Sequence, residues 1–94
     1  MTILPQAEAD LEEARIWYVA QREELAEKFI SSVEEALHQI NRLPEAHAKI
    51  HKDIRRAFTR GFPFAVYYRI REEEAVVTAI LHGRRDPRKW RDRT

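Results

Sequence analysis

The sequence predicts an α+β domain, an N-terminal antiparallel helical hairpin packed on a small antiparallel sheet of three strands. Three observations carry this. Apolar residues recur at helical spacing before residue 43, they alternate with a period of two after residue 53, and Pro44 stands between the two regimes. A composition of 44% hydrophobic and 35% charged residues is rich in charge but too apolar for a disordered chain. Ninety-four residues are expected to form one domain, 1–94, with a small core and little surplus stability.

The first helix is expected from Pro5 to Gln21. Leu11, Ala14 and Tyr18 fall at i, i+3 and i+7 with Trp17 beside them. Proline in the first turn and the early acids Glu8, Asp10, Glu12 and Glu13 suit the unpaired amides and dipole of a helix start. The acids of both helices read as solvated faces. A second helix, from Glu23 to Arg42, carries the stripe Leu25, Phe29, Val33, Ala36, Leu37 and Ile40, and Pro44 stops it. The short link Ala20-Gln21-Arg22 makes the pair a hairpin.

Residues Ala46 to Lys52 lack periodicity and read as a loop leading to a strand over residues 53–59. Gly61 and Pro63 mark a turn. Phe64, Val66, Tyr68 and Ile70 then alternate with Ala65, Tyr67, Arg69 and Arg71, a strand with one apolar face. After the Glu72-Glu73-Glu74 turn, Ala75 to Leu81 is apolar on both faces. This is the pattern of a central strand, covered by helices on one side and by something else, such as a partner, on the other. Residues 2–4 are available as a short edge strand.

Charge is polarised along the chain. Residues 1–48 hold 4 Lys/Arg against 10 Asp/Glu, whereas residues 49–94 hold 13 against 6, so a net charge of +1 conceals an acidic half and a basic half. Either the halves neutralise each other across the fold or the basic half meets an acidic or nucleic-acid partner. Without cysteine there is no disulfide framework and no thiolate metal site. No apolar run reaches the length of a membrane span, and Met1-Thr2-Ile3-Leu4-Pro5 lacks the features of a signal peptide, so a soluble cytoplasmic protein without membrane contact is expected. His47 and His51 are spaced i, i+4 but follow a helix-ending proline and have no third ligand, and neither metal nor cofactor is expected.

Several motifs resemble the RelE/ParE superfamily of toxins from bacterial type II toxin–antitoxin pairs. They are Pro5-x-Ala7-x-x-Asp10-Leu11, Trp17-Tyr18, Leu43-Pro44, Phe62-Pro63-Phe64-Ala65-Val66-Tyr67-Tyr68-Arg69, and Leu81-His82-Gly83-Arg84-Arg85-Asp86-Pro87-x-x-Trp90. The resemblance spans essentially the whole chain and implies the fold derived above. It also implies a cognate antitoxin that wraps the toxin, and one of two activities. ParE-like members poison DNA gyrase, and RelE-like members cut messenger RNA on the ribosome.

RNA cleavage needs groups to move protons and cations to hold the phosphorane charge, and His82, Arg85, Arg69 and Arg55 are the candidates. The motif points the other way. Phe64 stands where RNA-cleaving relatives carry an arginine, and no tyrosine follows Tyr68. The ParE-like, non-enzymatic reading is therefore preferred. Its target-binding candidates are Arg84, Arg85, Arg88, Lys89 and Trp90, since arginines interleaved with a tryptophan suit phosphate contact, base stacking or a protein hot spot. The alternative for Trp90 is a ring folded back onto the sheet. Arg56, Phe58, Tyr67, Arg69 and Trp17 are the candidates for antitoxin binding. A third reading is a family member without toxicity that serves only as the antitoxin's partner.

Overall fold

Prolines set the first boundaries. In the computed structural model, which describes residues 1–84 and 87–93, Pro5 opens helix α1 (Pro5–Gln21), and Pro44 starts a short 3-10 turn (Pro44–Ala46) after helix α2 (Glu23–Arg42). Arg22 alone separates the helices. Its extended backbone lets its N–H donate to the Tyr18 carbonyl (2.8 Å) while its own carbonyl accepts from Leu25 and Ala26 (3.1 and 3.3 Å), so one residue ends α1 and starts α2. The α2 stripe buries Phe29, Val33, Ala36 and Ile40 as expected, with Leu25 and Leu37 at its margins. Ser32, also buried there, donates to the Arg60 carbonyl at 2.7 Å and ties α2 to the turn before β4.

The sheet has five strands rather than three. These are β1 (Thr2–Ile3), β2 (Lys49–His51), β3 (Ile54–Phe58), β4 (Phe64–Arg71) and β5 (Glu74–His82), in the order β1-β5-β4-β3-β2. The expected meander β3-β4-β5 is antiparallel and central. Two short strands extend it. β2 falls in the stretch read as a loop, and β1 pairs parallel to β5, with Thr2 opposite Val76 and Ile3 opposite Val77. Both are held by backbone hydrogen bonds over two or three residues, such as Leu4 N–H to the Val77 carbonyl at 3.0 Å, continuing the β1 edge. Elements this short leave no side-chain period to read. A register shift lies between Tyr67 and Tyr68 in the β4–β5 ladder. The two strands are joined through Glu72 and Glu73, both left-handed, at φ 52° and 65°.

Each face of the sheet has its own core. Under the helices lie Val66, Tyr68, Val77 and Ile80 with Phe29, Val33 and Ile40. On the other face are Ile54, Ala65, Tyr67, Ala79 and Leu81, and they are covered by the chain itself. Helix α3 (Arg88–Arg91) drops Trp90 onto them, stacked on Tyr67 with ring centroids 5.1 Å apart and planes 11° from parallel. The second cover of the doubly apolar strand is thus the C-terminal segment.

Tyr68 spans the helix-side core with its ring, and its hydroxyl donates to the Pro44 carbonyl at 2.6 Å, which fixes the 3-10 turn over β4. Tyr68→Phe is expected to cost about 1 kcal/mol in urea unfolding, the net worth of one such bond. Burial raises the phenol pKa values of Tyr18, Tyr67 and Tyr68, and for Tyr67 the neighbouring Arg56 partly offsets it. A raised folded-state value contributes stability that is complete below the unfolded value of about 10 and is lost as pH climbs above it. Unfolding titrations from pH 8 to pH 11 should therefore show falling stability, with a shallower fall in Tyr67→Phe.

Candidate functional site

Helical geometry places Trp17 one residue, about 100° of rotation, off the buried stripe of α1. Its ring meets that of Tyr18 edge-on at 5.1 Å, while Tyr18 packs inward on Phe29 and Phe62. Trp17 is left 59% exposed and its neighbour Ile16 56%. These side chains form one wall of a groove of about 700 Å³. Pro63, Phe64, Ile80, Leu81 and His82 from the ends of β4 and β5 line it too, together with Lys89 of α3. Asp10 and Glu13 also line it, the Asp10 carboxylate being paired with Arg93.

The groove runs beside an open sheet edge. Strand β1 pairs with β5 only at Val76 and Val77. Beyond that point the Ile80 N–H donates to the Asp10 carboxylate at 3.0 Å. The same carboxylate is held by both terminal nitrogens of Arg93, Nη2 to Oδ1 at 3.1 Å, and Arg93 Nη1 also donates to the Thr78 carbonyl at 3.4 Å. Asp10 is only 9% exposed. Neither residue was singled out as a site from the sequence, although Asp10 sits at i+3 from Ala7 and i−4 from Ala14, on the buried stripe, a position at odds with a solvated acid.

A second exposed aromatic lies at the end of β3. Phe58 is 59% exposed, with the Arg56 guanidinium 4.7 Å above its ring and Gly83 against the ring edge. A Cβ at Gly83 would meet Phe58 Cε1 at 2.9 Å, so a larger residue there would displace the exposed ring. Of the residues expected to meet an antitoxin, Trp17, Phe58 and Arg56 are accessible in this way. Tyr67 is not, because it is fully buried beneath Trp90, and Arg69 on the same face is half-buried, with Nη1 3.5 Å from the Arg93 carbonyl.

Of the residues expected to meet a target, Arg84, Arg88 and Lys89 are exposed, whereas Trp90 is 6% exposed and faces inward. Stacking on Tyr67 removes its ring from solvent, the outcome in which the C-terminus folds back on the sheet. Arg85 lies outside the described residues. The described ribonuclease candidates, His82, Arg69 and Arg55, are dispersed. His82 is opposite Phe64 at one end of β4 and Arg69 is opposite Val76, five residues along the strand, about 17 Å away. Arg55 shares a face with Tyr68, the reverse of the face that carries Arg69, and its Nη1 is engaged by the carbonyls of His47 (2.6 Å) and Glu45 (3.2 Å). His82 Nδ1 accepts the Arg84 N–H at 3.1 Å. His47 turns toward Tyr68, and His51 lies on β2 with its ring 6.0 Å from Trp90, so the two do not converge as ligands. Among the described residues no helix is long and apolar enough to cross a membrane.

The comparisons with known proteins agree with this architecture. The family model for the ParE toxin of type II toxin-antitoxin system, parDE, matches residues 2–87. No curated protein matches the chain. A solved structure described as the chromosomal ParDE TA system from P. aeruginosa superposes with a TM-score of 0.74 at 20% identity, over 87% of this chain and 95% of that one.

The two tryptophans should behave oppositely. Trp90→Ala, which removes the lid of the second core, is expected to lower stability by about 3 kcal/mol in urea titrations. Trp17→Ala, at the groove rim, is expected to stay within about 0.5 kcal/mol of the parent.

Proposed function

The chain belongs to the ParE toxin family of type II toxin–antitoxin systems, and from that premise we propose that it inhibits DNA gyrase in the cytoplasm and is neutralised by a cognate antitoxin. The observation that carries the antitoxin reading is the groove beneath Trp17, apolar at its floor, open to solvent and bordered by the β5 edge. An amphipathic segment bearing acids finds there an apolar trough, the cation of Lys89 and strand groups for pairing. The ParDE assembly of the structural neighbour is consistent with such a partner.

The gyrase reading rests on the exposed cations beside the groove. Arg84 follows β5 and Lys89 lies on the α3 segment that Trp90 staples to the sheet, and both are exposed cations. Direct catalysis on RNA is the less favoured reading, since proton-transfer groups and phosphate-holding cations must converge within hydrogen-bond reach and His82, Arg69 and Arg55 are distributed over two faces.

Plasmid supercoiling by purified gyrase, with and without the folded protein, tests the reading. Inhibition with accumulation of linear plasmid is expected, and Arg84→Ala combined with Lys89→Ala should weaken it by about tenfold or more, as loss of two interface cations implies. Unchanged supercoiling at a large molar excess of folded protein would sink the gyrase assignment and direct the assay to messenger RNA on translating ribosomes.

A further inference from the structure

The Asp10–Arg93 pair occupies the place that an added strand would take on β5. A strand pairing along Thr78–His82 needs the backbone groups that point away from β4. The Ile80 N–H is one of them and is taken by Asp10, while the Thr78 carbonyl is taken by Arg93. Strand alternation turns the Ile80 carbonyl and the His82 N–H in the same direction, toward the groove. Side chains from the two ends of the chain thus stand in for a neighbouring strand, and one of them, Arg93, belongs to the tail that positions Lys89 and Trp90.

We propose that Asp10 and Arg93 form a latch that an extended antitoxin segment must open in order to pair with the β5 edge, so that antitoxin binding and docking of the C-terminal tail oppose each other. This rests on the antitoxin reading above. The latch is specific in form. Its two parallel N–H to carboxylate contacts require a planar guanidinium, and the carboxylate they grip is nearly buried. When the segment arrives, its own N–H and carbonyl groups replace Arg93 at Thr78 and Asp10 at Ile80. The freed Arg93 side chain no longer ties the tail to Asp10 of α1, while Trp90 stays stacked on Tyr67. Because binding draws on the open form alone, a latch closed in about nine molecules of ten weakens the apparent affinity about tenfold.

The test uses the full chain and a purified full-length ParD-type antitoxin that binds it, with hydrogen exchange followed at Ile80 and across residues 87–93. Without antitoxin, Arg93→Gln should speed exchange in residues 87–93 by about tenfold, and Arg93→Lys, which keeps the charge but not the fork, should fall between. Adding antitoxin to the parent protein should protect residues 78–82 and speed exchange in residues 87–93, and Arg93→Gln should bind the antitoxin about tenfold more tightly. Exchange in residues 87–93 that Arg93→Gln leaves unchanged, or antitoxin bound at the edge with the tail still protected, would overturn the latch. Failure to find a ParD-type antitoxin that binds parent or variant would instead remove the antitoxin reading, and the coupling with it.

Discussion

Burial of β5 on both faces, with pairing along only one edge past Val77, is the constraint to which the other elements answer. Its Val77 and Ile80 require the helical hairpin, its Ala79 and Leu81 require Trp90, and its outer edge requires Asp10 and Arg93. Unpaired buried amides and bare apolar strands are both costly, so each cover is needed for a different reason. The covers come from residue 10 at one extreme and residues 90 and 93 at the other. Both termini are therefore drawn to one strand, and the groove arises where their coverage stops.

The polarised charge takes on a different meaning in three dimensions. Asp10 with Arg93, and the Met1 ammonium with Glu74, join the acidic half to the basic half, while Arg71 pairs with Asp53 inside the basic half. Most of the charge stays on the surface, acids on the helices and cations at the sheet end and tail, where it acts on partners by long-range attraction that salt screens.

Both long helices and the central meander were legible in the sequence because each supplies a side-chain period long enough to register: Phe29, Val33, Ala36 and Ile40 at helical spacing, Phe64, Val66 and Tyr68 at strand spacing. What was not legible depends on backbone bonds or on distant partners. β2 is a short ladder without a period, and β1, available as an edge strand from residues 2–4, gave no sign of its parallel pairing with β5. Trp90 in a run of arginines is compatible with solvent, target or sheet, and only the position of Tyr67 beneath it decides. Phe58, Trp17 and Tyr67 were all marked as contact residues, and the first two are exposed whereas Tyr67 lies under cover, because a strand pattern does not reveal which face the chain will later fold across. Asp10 was masked by its company, one acid among four in the first turns of α1.

The pair of left-handed glutamates between β4 and β5 bears on how the chain reaches this state during synthesis. Turns of this form favour Asn and Gly, and each non-glycine residue held there carries strain of about 1 kcal/mol. The hairpin that supplies the central strands is thus poorly disposed to close by itself, and it emerges from the ribosome after both helices have been made. The N-terminal half must wait as an acidic, half-covered pair of helices, with Phe29, Val33 and Ile40 exposed until the sheet arrives. In that interval the nascent chain is open to chaperones, to proteases and to any partner able to recognise the apolar stripe before the toxin exists as a folded protein.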